Sequence, residues 1–204
     1  MSDARRDVPP KKVLGVLGSA RRHGNSALLL DEVMRGLGGE FETETVFLAD
    51  LEIWPCDACG ACIETGACRV ADDMQDVTDK LKAADAVVLA SPVYMGGLTS
   101  RMRAFMERTW PLRKGAVAGT LGSYVVVGRR KTGAAVSNMQ DYLARMGMVA
   151  LPGVLGFALA AGEVSADEEA RKEALTLSRA LRSRLLGSRP AAASTETTTE
   201  RHGE

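Results

Sequence analysis

Neither sign of charge prevails in this chain: 26 Lys and Arg balance 26 Asp and Glu, for a formal net charge of zero. That balance leaves no electrostatic footprint for nucleic acid or an anionic membrane. Aromatic residues are few, at 4%. No apolar run is long enough to cross a bilayer. The first ten residues, M-S-D-A-R-R-D-V-P-P, lack the apolar stretch of a signal peptide. Internal repeats are absent too. The expectation is a soluble, cytoplasmic protein with neither nucleic acid nor membrane among its partners. Hydrophobic content of 46% is enough for one folded core.

Cysteine is absent from almost the whole chain. All four cysteines fall in C-D-A-C-G-A-C-I-E-T-G-A-C, residues 56–68. In a reducing compartment, crowded thiols point to metal binding or redox work rather than structural disulfides. The spacing is C-x2-C-x2-C-x5-C. Three thiolates so spaced can wrap one corner of an iron–sulfur cubane, and Cys68 can reach back over a short loop. Gly60 and Gly66 keep that loop flexible. Zinc is an alternative for Cys56, Cys59, Cys62 and Cys68, although structural zinc sites usually use two separated C-x-x-C knuckles. Free or disulfide-switching thiols are a third reading. Arg69, not proline, follows the last cysteine, which argues against a ferredoxin insert.

Residues 1–10 and 187–204 are polar and small, and are expected to be disordered. Between them, residues 11–186 alternate apolar runs with helical patterns. Strands are expected at Val13–Leu17, Thr43–Leu48, Ala86–Ala90, Tyr124–Val127 and Val154–Leu159. Helices are expected at Ser26–Leu37, Ala71–Ala84, Ser100–Trp110, Ala134–Met146 and Asp167–Leu186, with Asp72-Asp73 placed to suit a helix N-terminus. Strands apolar on both faces imply a parallel sheet with helices on each side. The fold class is α/β, a doubly wound five-stranded parallel sheet. Ligands of such sheets bind beyond the carboxyl ends of the strands, so chemistry belongs in the loops that follow them.

The loop after the first strand reads G-S-A-R-R-H-G-N-S. Gly18 and Gly24 permit a tight backbone. Ser19, Asn25 and Ser26 supply short hydrogen-bonding side chains, and Arg21 or Arg22 a cation. A helix begins at Ser26 and adds its free N–H groups and dipole. Together these make a phosphate cradle, yet without the G-x-G-x-x-G or G-K-S/T signatures. His23 is expected to face solvent.

G-S-A-R-R-H-G-N-S resembles the G-S-x-R-x-x-G-N-[ST] phosphate loop of the flavodoxin-like, NAD(P)H-dependent FMN reductase superfamily. S-P-V-Y-M-G-G, residues 91–97, resembles that family's flavin-ring loop. The helix that follows, T-S-R-M-R-A-F-M-E-R-T, is similar to the family's x-x-K-x-F-x-D-R, with Arg103 and Glu107 where Lys and Asp are usual. The resemblance implies FMN as cofactor, held by Ser19, Arg21, Gly24, Asn25 and Ser26 and by Pro92, Val93, Tyr94, Met95 and Gly96. Pro92 sets an extended turn, and Tyr94 and Met95 offer apolar surface to a flat ring. A third loop, G-R-R-K-T-G-A-A, adds Gly128 and Gly133, with Ala134-Ala135 departing from the family's G-G-Q-E-like segment. Within the superfamily the cysteine loop resembles that of iron–sulfur flavoproteins, which carry a 4Fe–4S cluster beside FMN.

The resemblance implies an oxidoreductase that moves electrons from NAD(P)H or ferredoxin to a small-molecule acceptor, as a homodimer or homotetramer. No protein acid or base is assigned to catalysis. Two alternatives stand beside it: a cluster-free NAD(P)H-dependent FMN or quinone reductase, and a flavodoxin-like electron carrier or redox sensor. Low aromatic content and zero net charge argue against a dedicated carrier.

Overall fold

Residues 9–187 are described by the computed structural model. Of the ends expected to be disordered, all but residues 9, 10 and 187 lie outside the described residues. Along the chain come β1 (Lys12–Leu17), α1 (Asn25–Leu37), β2 (Glu42–Phe47), α2 (Ala61–Thr65), α3 (Met74–Ala83) and β3 (Ala86–Tyr94). There follow β4 (Gly97–Leu98), α4 (Ser100–Arg108), β5 (Leu121–Gly128), α5 (Gly133–Arg145), β6 (Val149–Ala150), β7 (Val154–Phe157) and α6 (Glu168–Gly187).

The sheet order is β2-β1-β3-β5, with β6 and β7 both paired to β5. These pairings are all parallel. The fifth strand position is thus filled by two short pieces. Pro152 lies between them, and its carbonyl accepts a 2.8 Å bond from the Ser123 hydroxyl. Gly153 there lies so close to the Tyr124 ring that a Cβ would meet it at 2.1 Å.

Aliphatic residues alternate across the three central strands because successive side chains point to opposite faces. Val13, Leu17, Val88, Ala90, Val125 and Val127 pack with α1 and α6 on one face. Leu14, Val16, Val87, Leu89 and Val126 pack with α3, α4 and α5 on the other. Each fully buried Val or Leu contributes roughly 1.5–3 kcal/mol, so both sheet faces are strongly covered. Strand β2 is different. Only Val46 is fully buried along it, and residues 42–45 (E-T-E-T) are exposed.

Two helix starts differ from expectation. Helix α1 is capped by Gly24 with no side-chain cap bond, so neither Asn25 nor Ser26 serves as its cap. Helix α3 begins at Met74 rather than Ala71. Asp72 and Asp73 stand before it; the Asp72 carboxylate accepts from the Met74 N–H at 3.0 Å as well as from more distant partners, and that of Asp73 accepts from the Glu52 N–H. Among the described residues no helix is long and apolar enough to cross a membrane.

Candidate functional site

Strands β1, β3 and β5 are neighbours in the sheet, so the loops leaving their carboxyl ends lie side by side. The order reverses between β1 and β3. All three loops expected from the sequence sit along this edge.

In the first, the Ser19 hydroxyl both donates to the Arg21 carbonyl (3.1 Å) and accepts from the Arg21 N–H (3.0 Å). Ser19 therefore shapes the turn. Gly24 is buried in it, and a Cβ there would meet the Arg21 Cβ at 3.1 Å. Arg22 is ion-paired with Asp50 and lies over the Phe47 ring. Arg21 makes no ion pair among the described residues and is exposed, which leaves it as the loop's available cation. Asn25 uses its side chain elsewhere: Nδ2 donates to the Ala160 carbonyl (2.8 Å) and Oδ1 accepts from the Val164 N–H (3.4 Å). His23 is exposed. Ser26 is buried, and its hydroxyl has no hydrogen-bond partner. A buried hydroxyl without a partner costs about 1–3 kcal/mol. Here it sits in the first turn of a 13-residue helix whose N–H groups have no side-chain cap. Those features suit a phosphate.

The second loop is a hairpin. Tyr94 pairs with Gly97 across an antiparallel β3–β4 contact, and the two residues between them have positive φ, 50° at Met95 and 83° at Gly96. That is the type I′ pattern, which strongly favours Asn or Gly at both positions. Methionine there is strained, and its side chain is fully exposed. Tyr94 is half-exposed beside it. Strain and exposure thus coincide at this loop tip, and the pair presents soft apolar surface on the same sheet edge as the loop after β1.

Thr99 ties these two loops together. Its hydroxyl donates to the Gly18 carbonyl (2.7 Å) and accepts from the Met102 N–H (3.2 Å), so it also caps α4. Gly18 has no room for more: a Cβ would meet the Met102 Cβ at 2.9 Å and Thr99 Oγ1 at 3.0 Å. The third loop runs from Gly128 to Gly133. A Cβ on Gly128 would meet Thr132 at 2.9 Å and Val93 of the hairpin strand at 3.2 Å. Around Gly133 there is open space. Arg129, Arg130 and Lys131 are exposed.

The cysteine loop follows β2 and leans on the far end of α4. Asp57 caps a turn by accepting from the Cys59 N–H (3.2 Å), and pairs with Arg69 at 2.6 Å. The Cys59 side chain and N–H, then Arg69, hold the Asp57 carboxyl below its usual pKa. Helix α2 is one short turn between Gly60 (φ 76°) and Gly66 (φ 74°). Cys56 and Cys62 open onto one hollow of about 330 Å³, walled by Ala58, Ile63, Glu107 and Trp110. Cys59 lies by the Asp57–Arg69 pair. Cys68 lies against Arg108. All four thiols are free, and Cys56 and Cys59 are exposed. Among the described residues no three metal-ligating side chains converge. The donor set itself, four thiols on one glycine-hinged loop with two of them on an apolar hollow, suits an iron–sulfur cluster chemically.

Sequence reasoning missed the residue that fastens this loop. Arg108, at the end of α4, is buried and makes a two-pronged pair with Asp72, 2.5 and 2.9 Å. It also donates to the carbonyls of Trp54 (2.8 Å) and Val70 (3.3 Å). Burial alone would raise the Asp72 pKa; Arg108 and the Trp54 and Met74 N–H donors outweigh it and hold it below the usual range. Residues 54 and 108 are too far apart in sequence for any local pattern to reveal this.

A doubly wound parallel sheet whose loops gather where the strand order reverses defines a flavodoxin-like fold. The sequence model for NADPH-dependent FMN reductases matches residues 11–162, and the chain belongs to that family. It is an FMN-dependent oxidoreductase. Its curated relatives include an iron–sulfur flavoprotein of Methanocaldococcus jannaschii, 39% identical over 132 residues, spanning 64% of this chain and 68% of the relative. Another, an iron–sulfur flavoprotein of Archaeoglobus fulgidus, is 35% identical over 167 residues, spanning 79% of this chain and 74% of the relative. Solved structures share the fold at low identity. RosB with bound 8-demethyl-8-formylriboflavin-5'-phosphate gives a TM-score of 0.64 at 18% identity, over 95% of each chain. The apo form of an NADH:FMN oxidoreductase gives 0.62 at 17%, over 89% of this chain and 92% of the other.

Proposed function

We propose that this oxidoreductase carries a 4Fe–4S cluster on Cys56, Cys59, Cys62 and Cys68 beside its FMN. In this reading it passes electrons from NAD(P)H or ferredoxin to a small-molecule acceptor. The observation that carries it is the attachment of the four-cysteine loop to α4, the same helix whose first turn fastens the FMN loops. The names of the curated relatives support it. When bound, FMN supplies two-electron chemistry and the cluster one-electron chemistry. The protein's own part is to bind and orient. Ser26 donates its hydroxyl to the phosphate, with the α1 N–H groups and Arg21 completing the cradle, while Ser19, Gly24 and Asn25 hold the loop in shape. Pro92, Val93, Tyr94, Met95 and Gly96 line the ring; at its edge Gly133 leaves open space, and Gly128 lets Val93 sit close to the third loop. Arg129 to Lys131, exposed on the third loop, supply cations for flavin or pyridine-nucleotide charge in this reading. No side chain is assigned a proton transfer. A cytoplasmic setting suits four reduced thiols, and a homodimer or homotetramer is the assembly we expect.

Anaerobic purification with a visible spectrum and iron and sulfide analysis tests the reading. Flavin bands with four irons per chain are expected. Cys59→Ala should then abolish the cluster and leave FMN bound. Flavin bands without iron favour the second reading, a cluster-free NAD(P)H-dependent FMN or quinone reductase. The separation of the four thiols is the observation on that side.

A further inference from the structure

Arg108 is a costly residue to bury. Its side chain is 1% exposed, and that of Asp72 is 2%. A buried ion pair often stabilises no better than apolar residues of equal volume, so stability alone does not account for it. The guanidinium has five N–H donors. Four of the bonds they make are to Asp72 and to the carbonyls of Trp54 and Val70. Those carbonyls stand two residues before Cys56 and two after Cys68. One side chain therefore grips both stems of the cysteine loop. Asp72 reinforces the grip by accepting from the Trp54 N–H at 3.0 Å.

The remaining donor, Nε–H, is buried and has no partner. Arg108 and Cys68 line the same cavity of about 160 Å³, together with Gly66, Ala67 and Val70. Burial opposes the guanidinium's charge, but Asp72 and then Cys68 outweigh it and raise its pKa. So a permanent cation lies beside the last cysteine of the motif, and one of its donors remains without a partner.

We propose that Arg108 is a positioning residue for the cluster ligands: it closes the stems of the cysteine loop and holds a buried positive charge and N–H donor beside Cys68. The inference rests on the cluster reading above for its second half and not for its first. Hydrogen bonds to ligand sulfurs and net charge set the potentials of such clusters. A cation at Cys68 favours the more negative, reduced state.

The test compares wild type, R108K and D72N as full chains, prepared anaerobically. R108K keeps a charge but loses the fork. It is expected to bind FMN at wild-type stoichiometry, lose several-fold in iron and sulfide per flavin, and shift the remaining cluster to a lower midpoint potential. Limited trypsin cleavage after Arg69 should rise several-fold, with cleavage after Arg129 unchanged. D72N leaves the guanidinium less compensated and should raise the midpoint potential, the opposite sign. Should R108K not accumulate as a flavoprotein, D72N decides. Unchanged iron, potential and Arg69 cleavage overturn the proposal, as does loss of FMN in step with the cluster in both variants. A wild-type protein without iron fails the cluster reading instead; the cleavage comparison then still decides whether Arg108 closes the loop.

Discussion

The Thr99 hydroxyl bonds the Gly18 carbonyl at 2.7 Å across 81 residues of chain. That one contact locks the phosphate loop to the ring hairpin while capping α4. T99V removes both bonds and keeps the shape. It should cost about 1–2 kcal/mol of stability in urea unfolding and weaken FMN several-fold in a fluorescence titration. T99S should stay close to wild type. An unchanged FMN affinity in T99V would separate the two loops functionally.

Ser26 separates binding from folding. Its hydroxyl is buried and unsatisfied in the absence of an anion. S26A should therefore leave the apoprotein as stable as wild type or slightly more so. Its FMN affinity should fall about tenfold or more, since a hydrogen bond to a charged group is worth roughly 1.5–3 kcal/mol. Riboflavin, which lacks the phosphate, should bind both proteins equally. A loss of riboflavin binding would assign Ser26 to the ring instead.

Met95 tests whether strain is kept for function. A bulky side chain in the left-handed region costs about 1–2 kcal/mol, and Asn tolerates that region better. M95N should raise apoprotein stability by roughly 0.5–1 kcal/mol and weaken FMN several-fold through loss of apolar contact. Greater stability with unchanged FMN binding would make the methionine incidental.

Much of the fold was legible because its strands are aliphatic on both faces. Val13–Leu17 and Ala86–Ala90 admit no amphipathic alternative, and the loops after them carry the two motifs of the family resemblance in plain order. Legibility failed where partners are remote. Asp72 and Asp73 read as helix-start acids by charge alone. In the structure Asp72 does accept from the first helical N–H, that of Met74, at 3.0 Å, but it also pairs with Arg108, and Asp73 accepts from the Glu52 N–H at 2.7 Å, partners that charge at a helix start does not reveal. The one-turn helix α2 is too short for any periodicity. The Met95-Gly96 turn was half visible: a turn was expected in this loop from Pro92, but a methionine with positive φ has no sequence signature.

Acid should expose the Asp72 pair. Its carboxyl titrates below the usual range in the folded chain. A lowered folded pKa gives stability that is present above the unfolded value and lost as pH falls through the folded one. Unfolding free energy should thus decline below about pH 4 in wild type, and the decline should be shallower in D72N. Equal acid slopes would mean that other carboxylates carry the transition.

The outer strand β2 bears on how copies of this chain can meet. Its exposed E-T-E-T run lines the open edge of the sheet, and Lys12 and Lys80 pair with Glu42 and Glu44 there. Charged side chains along an edge discourage the addition of another strand. A self-complementary copy would place Glu42 and Glu44 against their own counterparts, like charge against like. Continuous sheets between subunits are therefore disfavoured at this border, and any symmetric assembly is expected to form through helices or loops, with β2 left facing water.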